Sequence, residues 1–371
     1  MKVVMVETGG WGGLAHYTWN LCSALSDTGT DVCLLTNIRY ELENLPRKFR
    51  IDPCFDKAVG YIQTISTLMR RLSQHAPDIV HVQSLISTRF DSFLWPRVRR
   101  RIPVVFTAHN THSHEGGGWE NWTLWRCLRM ADAVIVHTKE SAQFVVDQVG
   151  YTGHVKLIHH GDYEFFAEEK INDRATVRRR LDLPMNAKIL LAFGAIRPYK
   201  GILGLIAALR QVRIRYPDAH LVIAGPLLVG TEEEYRSAIK NGGVEDAVTF
   251  RPHYVECEKV AAYFAAADAA VYNYRDITDS GALRIACVLG TPVVATAVGG
   301  FREFLTDRVS ARLVPPDTPD LLAAAICDIF ADPFQATKMV EAARTLSASK
   351  WSWTDSAKAT LELYRETLHS T

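Results

Sequence analysis

The sequence has few of the features that mark secreted, metal-binding or membrane-spanning proteins. Its seven cysteines are odd in number, scattered, and never arranged as a CxxC pair. This argues against a disulfide framework or a zinc site, and it favours a reducing, cytoplasmic location. The start of the chain lacks the basic segment and apolar stretch of a secretion signal. No apolar run approaches the roughly 20 residues that a membrane-spanning helix requires.

A strong net charge is also missing, because 42 Lys and Arg are balanced by 41 Asp and Glu. The charge is nevertheless uneven, since residues 39–129 carry 14 Lys and Arg against 8 Asp and Glu. A protein that binds nucleic acid normally presents a broader basic face. The local excess therefore points to a partner other than nucleic acid.

The 371 residues, 48% of them apolar and 22% charged, predict a globular protein of about two domains. Buried strands rich in Val, Ile and Leu alternate with amphipathic helices in two successive runs, which predicts α/β domains with doubly wound parallel sheets. We place a Rossmann-like domain at residues 1–165 and a second at 166–353, followed by a final helix at about 354–371. Ligands of such sheets bind beyond the carboxyl ends of the strands, so two facing domains would form one cleft.

The turn from Phe193 to Gly201 is the most informative segment. It connects the apolar strand that ends at Phe193 to a helix that is expected to start near Lys200. Arg197 and Lys200 lie at the start of this helix, whose N–H groups and dipole add partial positive charge. The turn is therefore a candidate diphosphate site, although strand-to-helix turns with one lysine also occur without a ligand.

A second candidate follows the first strand, where Gly9-Gly10-Trp11-Gly12-Gly13 leads into a helix. Glycines let the backbone approach a ligand closely, and the helix start favours an anion. The loop lacks the pattern G-x-G-x-x-G, and no acidic residue ends the second strand at Asn37, so NAD binding is disfavoured. A tight turn without a ligand is the alternative.

Two further strand ends carry polar groups. One is Thr107-Ala108-His109 followed by His112, His114 and Glu115, which could ligate a metal. No second ligand cluster accompanies them, so a loop that faces a sugar, with His109 at the strand tip, is favoured over a metal site, and ordinary solvated histidines are the alternative. The other end runs from Asn273 to Leu283, where Ser280 and Gly281 suit phosphate oxygens and Asp279 could merely cap the helix.

Taken in this order, the motifs resemble glycosyltransferase family 4 over essentially the whole chain. The most specific are the Arg-Pro-Tyr-Lys-Gly turn that ends at Gly201 and the Gly-Thr-Pro-Val-Val strand that begins at Gly290. The resemblance implies the GT-B fold, a nucleotide-sugar donor on the second domain and an acceptor, a glycan or a lipid-linked molecule, on the first. It also implies that the final helix crosses back onto the first domain, and that the enzyme acts in the biosynthesis of a polysaccharide or glycoconjugate.

The resemblance also implies roles for individual residues. Arg197 and Lys200 would hold the donor diphosphate and act as electrostatic catalysts, Gly12 and Gly13 would approach the same phosphates, and His109 would contact the transferred sugar. The remaining candidates on the donor side are Asp276, Asp279, Ser280, Gly281 and Glu303.

One departure from the family pattern concerns two glutamates, whose places are taken by Ile277 and Ile285. Asp276 or Asp279 could substitute for the first glutamate, whereas the contact of the second with the ribose is left unexplained. The absence of both glutamates also leaves retention and inversion of the sugar stereochemistry open, although the family's rule is retention.

No Asp-x-Asp motif follows a strand, so we expect a metal-independent reaction without a cofactor, in which the fixed cations neutralise the leaving diphosphate. A sugar-nucleotide epimerase and a non-catalytic sugar-nucleotide-binding partner of another transferase are the alternatives.

A membrane-surface acceptor is suggested by tryptophans at helical spacing beside basic residues. The candidates on this acceptor or membrane side are His16, Trp119, Trp122, Trp125 and Arg126. Tryptophan and arginine together suit the headgroup region of an anionic bilayer. The expectation is a cytoplasmic protein that associates peripherally with the membrane, and the alternative is that the tryptophans are core and the arginines a solvated helix face.

Overall fold

The computed structural model describes residues 1–56, 58–87, 90–111, 118–167 and 173–370. The chain divides into two compact units. The first unit comprises Met1–Gly161 and Lys350–Thr371, and the second comprises Asp162–Ser349. Each unit is built on one parallel sheet with helices on its faces.

The first sheet has seven strands in the order β3-β2-β1-β4-β5-β6-β7. Its strands are β1 (Lys2–Val6), β2 (Asp31–Asn37), β3 (Arg50–Phe55), β4 (Ile79–Val82), β5 (Val104–Thr107), β6 (Ala133–Val136) and β7 (His154–Leu157). The second sheet has six strands in the order β10-β9-β8-β11-β12-β13. Its strands are β8 (Lys188–Phe193), β9 (Ala219–Ala224), β10 (Val248–Arg251), β11 (Ala269–Tyr272), β12 (Val293–Thr296) and β13 (Arg312–Val314).

Helices connect most of the successive strands, and three more follow the last strand. They are α1 (Gly12–Asp27), α2 (Tyr61–His75), α3 (Asp91–Arg99), α4 (Gly118–Arg129), α5 (Lys139–Asp147), α6 (Arg174–Arg180), α7 (Ile202–Arg215), α8 (Glu232–Asn241), α9 (Cys257–Ala266), α10 (Gly281–Leu289), α11 (Gly299–Phe304), α12 (Pro319–Ala331), α13 (Pro333–Lys350) and α14 (Trp353–Ser370). Among the helices that the structure describes, none is both long enough and apolar enough to cross a membrane.

The central strands form the core of each unit, which explains their near-continuous apolar sequences. Residues Val3–Val6 of β1 have no exposed surface, and Leu190 of β8 is equally buried. A parallel strand that is covered by helices on both faces needs apolar side chains in both directions. The predicted fold class, two doubly wound α/β sheets, is therefore confirmed.

The edge strand β3 is absent from the sequence prediction. Its sequence, Arg-Ile-Asp-Pro-Cys-Phe, contains Pro53 and two charged residues and shows no apolar run. Proline is tolerated on an edge strand because one side of that strand makes no ladder bonds. The pairing of β3 with β2 thus compensates for a sequence with little intrinsic preference for a strand.

The C-terminal helix α14 belongs to the first unit, where it packs against α1. The Tyr364 hydroxyl lies 2.6 Å from Nδ1 of His81 in β4, and the Ser356 hydroxyl donates to the His159 carbonyl. Ala357 and Tyr364 on this helix are fully buried. The helix thus covers one face of the first sheet.

Candidate active site

The turn that follows β8 in the second unit carries two cations, Arg197 and Lys200, at the carboxyl end of the sheet. A short 3₁₀ helix, Pro198–Lys200, precedes α7, so the α-helix begins at Ile202, slightly later than predicted. Gly201 separates the two helices with φ of 61°. A Cβ at this position would lie 2.0 Å from the Asn273 carbonyl oxygen, so only glycine fits.

Lys200 is a buried cation in this turn, with 9% of its surface exposed. Its Nζ lies 5.1 Å from the centre of the Tyr274 ring, a cation–π contact, and it forms no ion pair with a residue that the structure describes. Desolvation lowers the pKa of Lys200, and the nearby Arg197 lowers it further. A buried ammonium without a carboxylate partner is unfavourable unless an anion neutralises it. The site is therefore suited to a negatively charged ligand.

The turn after β11 is fixed directly beside the Lys200 turn. The Asn273 side-chain amide donates to the Gly201 carbonyl at 2.8 Å, and the Arg275 N–H donates to the Tyr199 carbonyl at 2.7 Å. Because β8 and β11 are neighbours in the sheet, their carboxyl ends bring these turns together. Two of the segments selected from the sequence thus form one surface.

Within the second turn, Ser280 is the N-cap of α10. Its hydroxyl accepts a hydrogen bond from the Leu283 N–H at 3.3 Å, and its own N–H donates to the Asp279 carboxylate at 2.7 Å. Gly281 begins the helix and packs on Tyr163, which a Cβ would approach within 2.8 Å. The first N–H groups of α10 lie at the same edge of the sheet as the Lys200 turn.

Asp279, a predicted donor ligand, makes several contacts within the protein. Its carboxylate accepts a hydrogen bond from the Arg284 guanidinium at 2.6 Å, and the exposed fractions of the two side chains are 7% and 0%. Arg284 also lies 5.0 Å from the centre of the Phe304 ring. This carboxylate, bound by a buried guanidinium and by a backbone N–H, supports the turn, and its contact with a donor stays a prediction.

The Asp279–Arg284 pair lies where the family pattern has its two glutamates. Ile277 and Ile285 occupy those two positions and are buried, with 6% and 7% exposed. No local pattern indicates the ion pair, because Arg284 lies within an apolar helix and its partner is five residues away. Asp276 and Glu303 are both half-buried, with Glu303 on α11.

We expect Asp279→Leu to destabilise the second unit by about 3–5 kcal/mol, because it leaves the Arg284 guanidinium buried without its carboxylate. The double variant Asp279→Leu, Arg284→Met should lose much less stability, since it removes both charges together. The urea midpoints of the two variants and the unchanged protein measure this difference. If Asp279→Leu has the same urea midpoint as the wild-type protein, the ion pair contributes nothing to the free energy of unfolding.

In the first unit, the glycine loop is held by a buried carboxylate that the sequence analysis did not select. Glu7 follows β1 and accepts hydrogen bonds from the N–H groups of Gly9 at 2.7 Å and Gly10 at 3.0 Å, and from the Thr36 hydroxyl at 3.0 Å. An acidic residue directly after an apolar strand was the available signal. Glu7 thus fixes the loop at the start of α1.

Gly12 and Gly13 begin α1, and the space where their side chains would lie is open. The Gly12 N–H donates to the Glu41 carboxylate at 2.8 Å, so it is already engaged within the protein. The same carboxylate lies 2.6 Å from Nε2 of His16, which is 5% exposed. His16, a predicted acceptor-side residue, is therefore part of the support of the loop.

His109 lies at the end of β5 and is half-buried. Its Nε2 lies 2.8 Å from Oε1 of Gln83, so the hydrogen-bond network assigns the ring proton to Nε2. Desolvation lowers the pKa of His109 well below its usual value, and His137 and His160 lower it further. The imidazole is therefore neutral at physiological pH, with Nδ1 as an acceptor.

Further aromatic and histidine side chains surround His109, and the sequence analysis did not select them. The Tyr17 ring centre lies 4.6 Å from His109, 5.1 Å from His137 and 4.7 Å from His160. His137 and His160 follow β6 and β7, so they meet His109 at the carboxyl edge of the sheet. Histidines directly after successive strands were the signal. Trp353 of α14 completes the group, 5.2 Å from Tyr17.

Four of the remaining candidates lie on α4, and the three tryptophans among them differ in exposure. Trp119 and Trp122 are 63% and 40% exposed and stack at 5.2 Å. Trp125 is instead half-buried, like Phe144, against which it packs beside the core, and its indole N–H donates to the Thr111 carbonyl at 3.0 Å. Trp125 is therefore less exposed than the other two tryptophans, and its place on the acceptor or membrane side stays a prediction. His112, His114 and Glu115 lie outside the described residues.

Comparisons with known proteins agree with this arrangement. The family model described as Glycosyltransferase Family 4 matches residues 11–161, and the model described as Glycosyl transferases group 1 matches residues 173–346. A D-inositol 3-phosphate glycosyltransferase of Kribbella flavida is 28% identical, over 96% of this chain and 91% of the relative.

Two solved structures share the fold at low identity. Sucrose-phosphate synthase from Thermosynechococcus elongatus superposes with a TM-score of 0.83 at 21% identity, covering 100% of both chains. Anabaena HepE, solved in complex with UDP and glucose, superposes with a TM-score of 0.82 at 19% identity, covering 99% of this chain and 100% of HepE.

Proposed function

Because this chain is a family 4-like glycosyltransferase with the GT-B fold, we propose that it transfers a sugar from a nucleoside diphosphate donor with retention and without a metal. The donor binds to the second unit through Arg197 and Lys200, and the acceptor binds to the first unit. The Lys200 ammonium, buried and without an ion pair among the described residues, is the observation that carries this proposal.

The donor diphosphate gains negative charge as its bond to the sugar breaks. Fixed cations and helix N-termini that already face this charge stabilise the transition state without reorganising. In the proposed reaction Arg197, Lys200 and the start of α10 supply such groups, so that no metal ion is needed. In this proposal a donor phosphate oxygen accepts the proton of the attacking hydroxyl, because the reaction proceeds on one face of the sugar.

His109 contacts the transferred sugar in this proposal. Its neutral ring offers the Nδ1 lone pair to a sugar hydroxyl, while Gln83 fixes the orientation of the ring. Gly12 and Gly13 leave room for the donor at the start of α1. A thermal-shift panel of nucleotide-sugars identifies the nucleotide base of the donor. UDP is the nucleotide named for HepE.

We expect nucleoside diphosphates and one or more nucleotide-sugars to raise the melting temperature of the protein, because a ligand at 100 times its Kd stabilises by about 2.7 kcal/mol. A panel of UDP- and GDP-sugars, each compared with its free nucleoside as the control, identifies the donor by thermal shift. The nucleosides should have little effect because they lack the diphosphate. A panel in which no nucleotide or nucleotide-sugar changes the melting temperature contradicts the proposal.

A non-catalytic role is the second candidate, and the buried Ile277 and Ile285 favour it, since both replace carboxylates. Such a protein binds the donor but transfers nothing when acceptor-containing extract is added. An epimerase, in contrast, converts the donor without any acceptor. Product analysis of the donor with and without extract separates the three functions, and addition of EDTA to the same assay tests metal independence.

A further inference from the structure

Four large aromatic side chains are exposed on one side of the first unit. They are Phe90, Phe93, Trp119 and Trp122, with 52%, 53%, 63% and 40% of their surface exposed, and we call them the aromatic strip. Single exposed apolar residues are common on soluble proteins, whereas a group on neighbouring elements marks an interaction surface. The strip joins the segment before α3 to α3 and α4.

Arginines lie within the strip. The Arg126 guanidinium carbon is 5.5 Å from the Phe93 ring centre and 5.7 Å from the Trp122 ring centre, so it bridges the two helices. Arg97 donates to the Phe93 carbonyl at 2.5 Å. Neither arginine forms an ion pair with a residue in the described ranges. A surface of aromatic rings and unneutralised guanidiniums is complementary to the headgroup region of an anionic bilayer.

The strip is continuous with a polar pocket at the carboxyl ends of β1 to β4. This pocket has a volume of about 260 Å³, and its polar lining consists of Thr8, Asn37, Asp56, Tyr61, Thr64 and Ser87. Tyr61 forms the boundary, because its ring lies 5.0 Å from the Phe90 ring and its hydroxyl donates to the Asp91 carboxylate at 2.9 Å. Hydroxyl, amide and carboxylate groups of this kind bind sugar hydroxyls.

We propose that the aromatic strip docks on an anionic lipid bilayer and that the adjoining pocket takes the sugar headgroup of a lipid-linked acceptor. This inference rests on the proposed glycosyl transfer, since it names the class of acceptor for that reaction. A soluble glycan would contact only the pocket, so it would not account for the exposed aromatic strip. A lipid-linked acceptor uses both, because its headgroup lies next to the bilayer surface.

Co-sedimentation with vesicles tests the inference. The full chain should bind vesicles of phosphatidylcholine and phosphatidylglycerol in equal parts, bind pure phosphatidylcholine much less, and dissociate as salt rises, because screening weakens attraction to the anionic surface. Arg126→Gln should lower binding roughly fivefold, the effect of one basic residue near such a surface. The double variant Trp119→Ser, Trp122→Ser should lower it by about tenfold or more, since it also removes the aromatic anchors.

A matched control is available on the second unit, where Ile214 and Phe334 are 83% and 69% exposed. Replacing both by serine removes as much exposed apolar surface but should leave vesicle binding unchanged. The inference is overturned if the unchanged protein does not bind the anionic vesicles, or if the tryptophan double variant binds as well as the control. It is also overturned if that variant instead turns a dimer into a monomer, which would make the strip an interface between copies.

The class of acceptor is measured in an experiment that is independent of donor binding. With radiolabelled nucleotide-sugar and membranes of the producing cells, the transferred label should be extracted into chloroform–methanol, and label found only in water-soluble glycan overturns a lipid-linked acceptor. Donor binding by thermal shift is measured on every variant and should be unchanged. If the wild-type protein binds the donor but not the vesicles, only this inference is rejected. If the wild-type protein does not bind any donor, the proposed function is rejected.

Discussion

Replacing Lys200 by methionine is expected to abolish most of the donor affinity while leaving the unliganded protein at least as stable as before. A charge-assisted hydrogen bond to a phosphate contributes about 1.5–3 kcal/mol, so the Kd for the nucleoside diphosphate should rise roughly 10- to 150-fold. The unliganded protein gains because the ammonium is buried and forms no ion pair with a described residue. Methionine fills a similar volume without a buried charge.

Calorimetric titration with the nucleoside diphosphate and thermal unfolding without ligand measure the two effects on the same preparations. Lys240→Met is the matched control, because Lys240 is exposed in the last turn of α8 and lies in the same unit. It should change neither quantity. A Lys200→Met protein that binds the nucleoside diphosphate with wild-type affinity would falsify the assignment of the Phe193–Gly201 turn as the diphosphate site.

The fold could be predicted from the sequence because the signals for it are local. Strands such as β1 and β8 are apolar on both faces, which is typical of a parallel sheet covered by helices. The edge strand β3 was missed because its order depends on pairing with β2 and not on its own composition. Local patterns thus predict the centre of each sheet better than its edges.

The positions of the site loops were also predictable, since parallel strands bring their carboxyl ends to one edge. The partners within the site were not. Asp279 was selected as a donor ligand because nothing near it in sequence indicates Arg284 as its buried partner. Trp125 was selected with Trp119 and Trp122 because the spacing alone does not tell which side of α4 faces the core. Contacts of this kind depend on side chains that the fold brings together, and the local sequence does not indicate them.

His109→Ala is expected to lower the rate of sugar transfer by about tenfold or more while leaving the affinity for the bare nucleoside diphosphate nearly unchanged. The proposed diphosphate contacts, Arg197 and Lys200, belong to the second unit, whereas His109 belongs to the first. A contact with the reacting sugar acts on the transition state, so its loss appears in turnover. In the proposed role, Nδ1 of the neutral ring accepts a hydrogen bond from the sugar. The Gln83 side chain, 2.8 Å from Nε2, keeps the ring proton on Nε2.

The opposite result distinguishes a structural histidine from one that contacts the sugar. His109 also packs against Tyr17 at 4.6 Å, so a purely structural role predicts lower stability and an equal loss of every activity. Initial rates and nucleoside diphosphate titrations on one preparation separate the two roles, and equal losses in both reject the sugar contact. His154→Ala is the control, because His154 begins β7 at the other end of the same sheet and is 45% exposed. Its removal should affect neither measurement, since it lies away from the carboxyl edge where the reaction is proposed to occur.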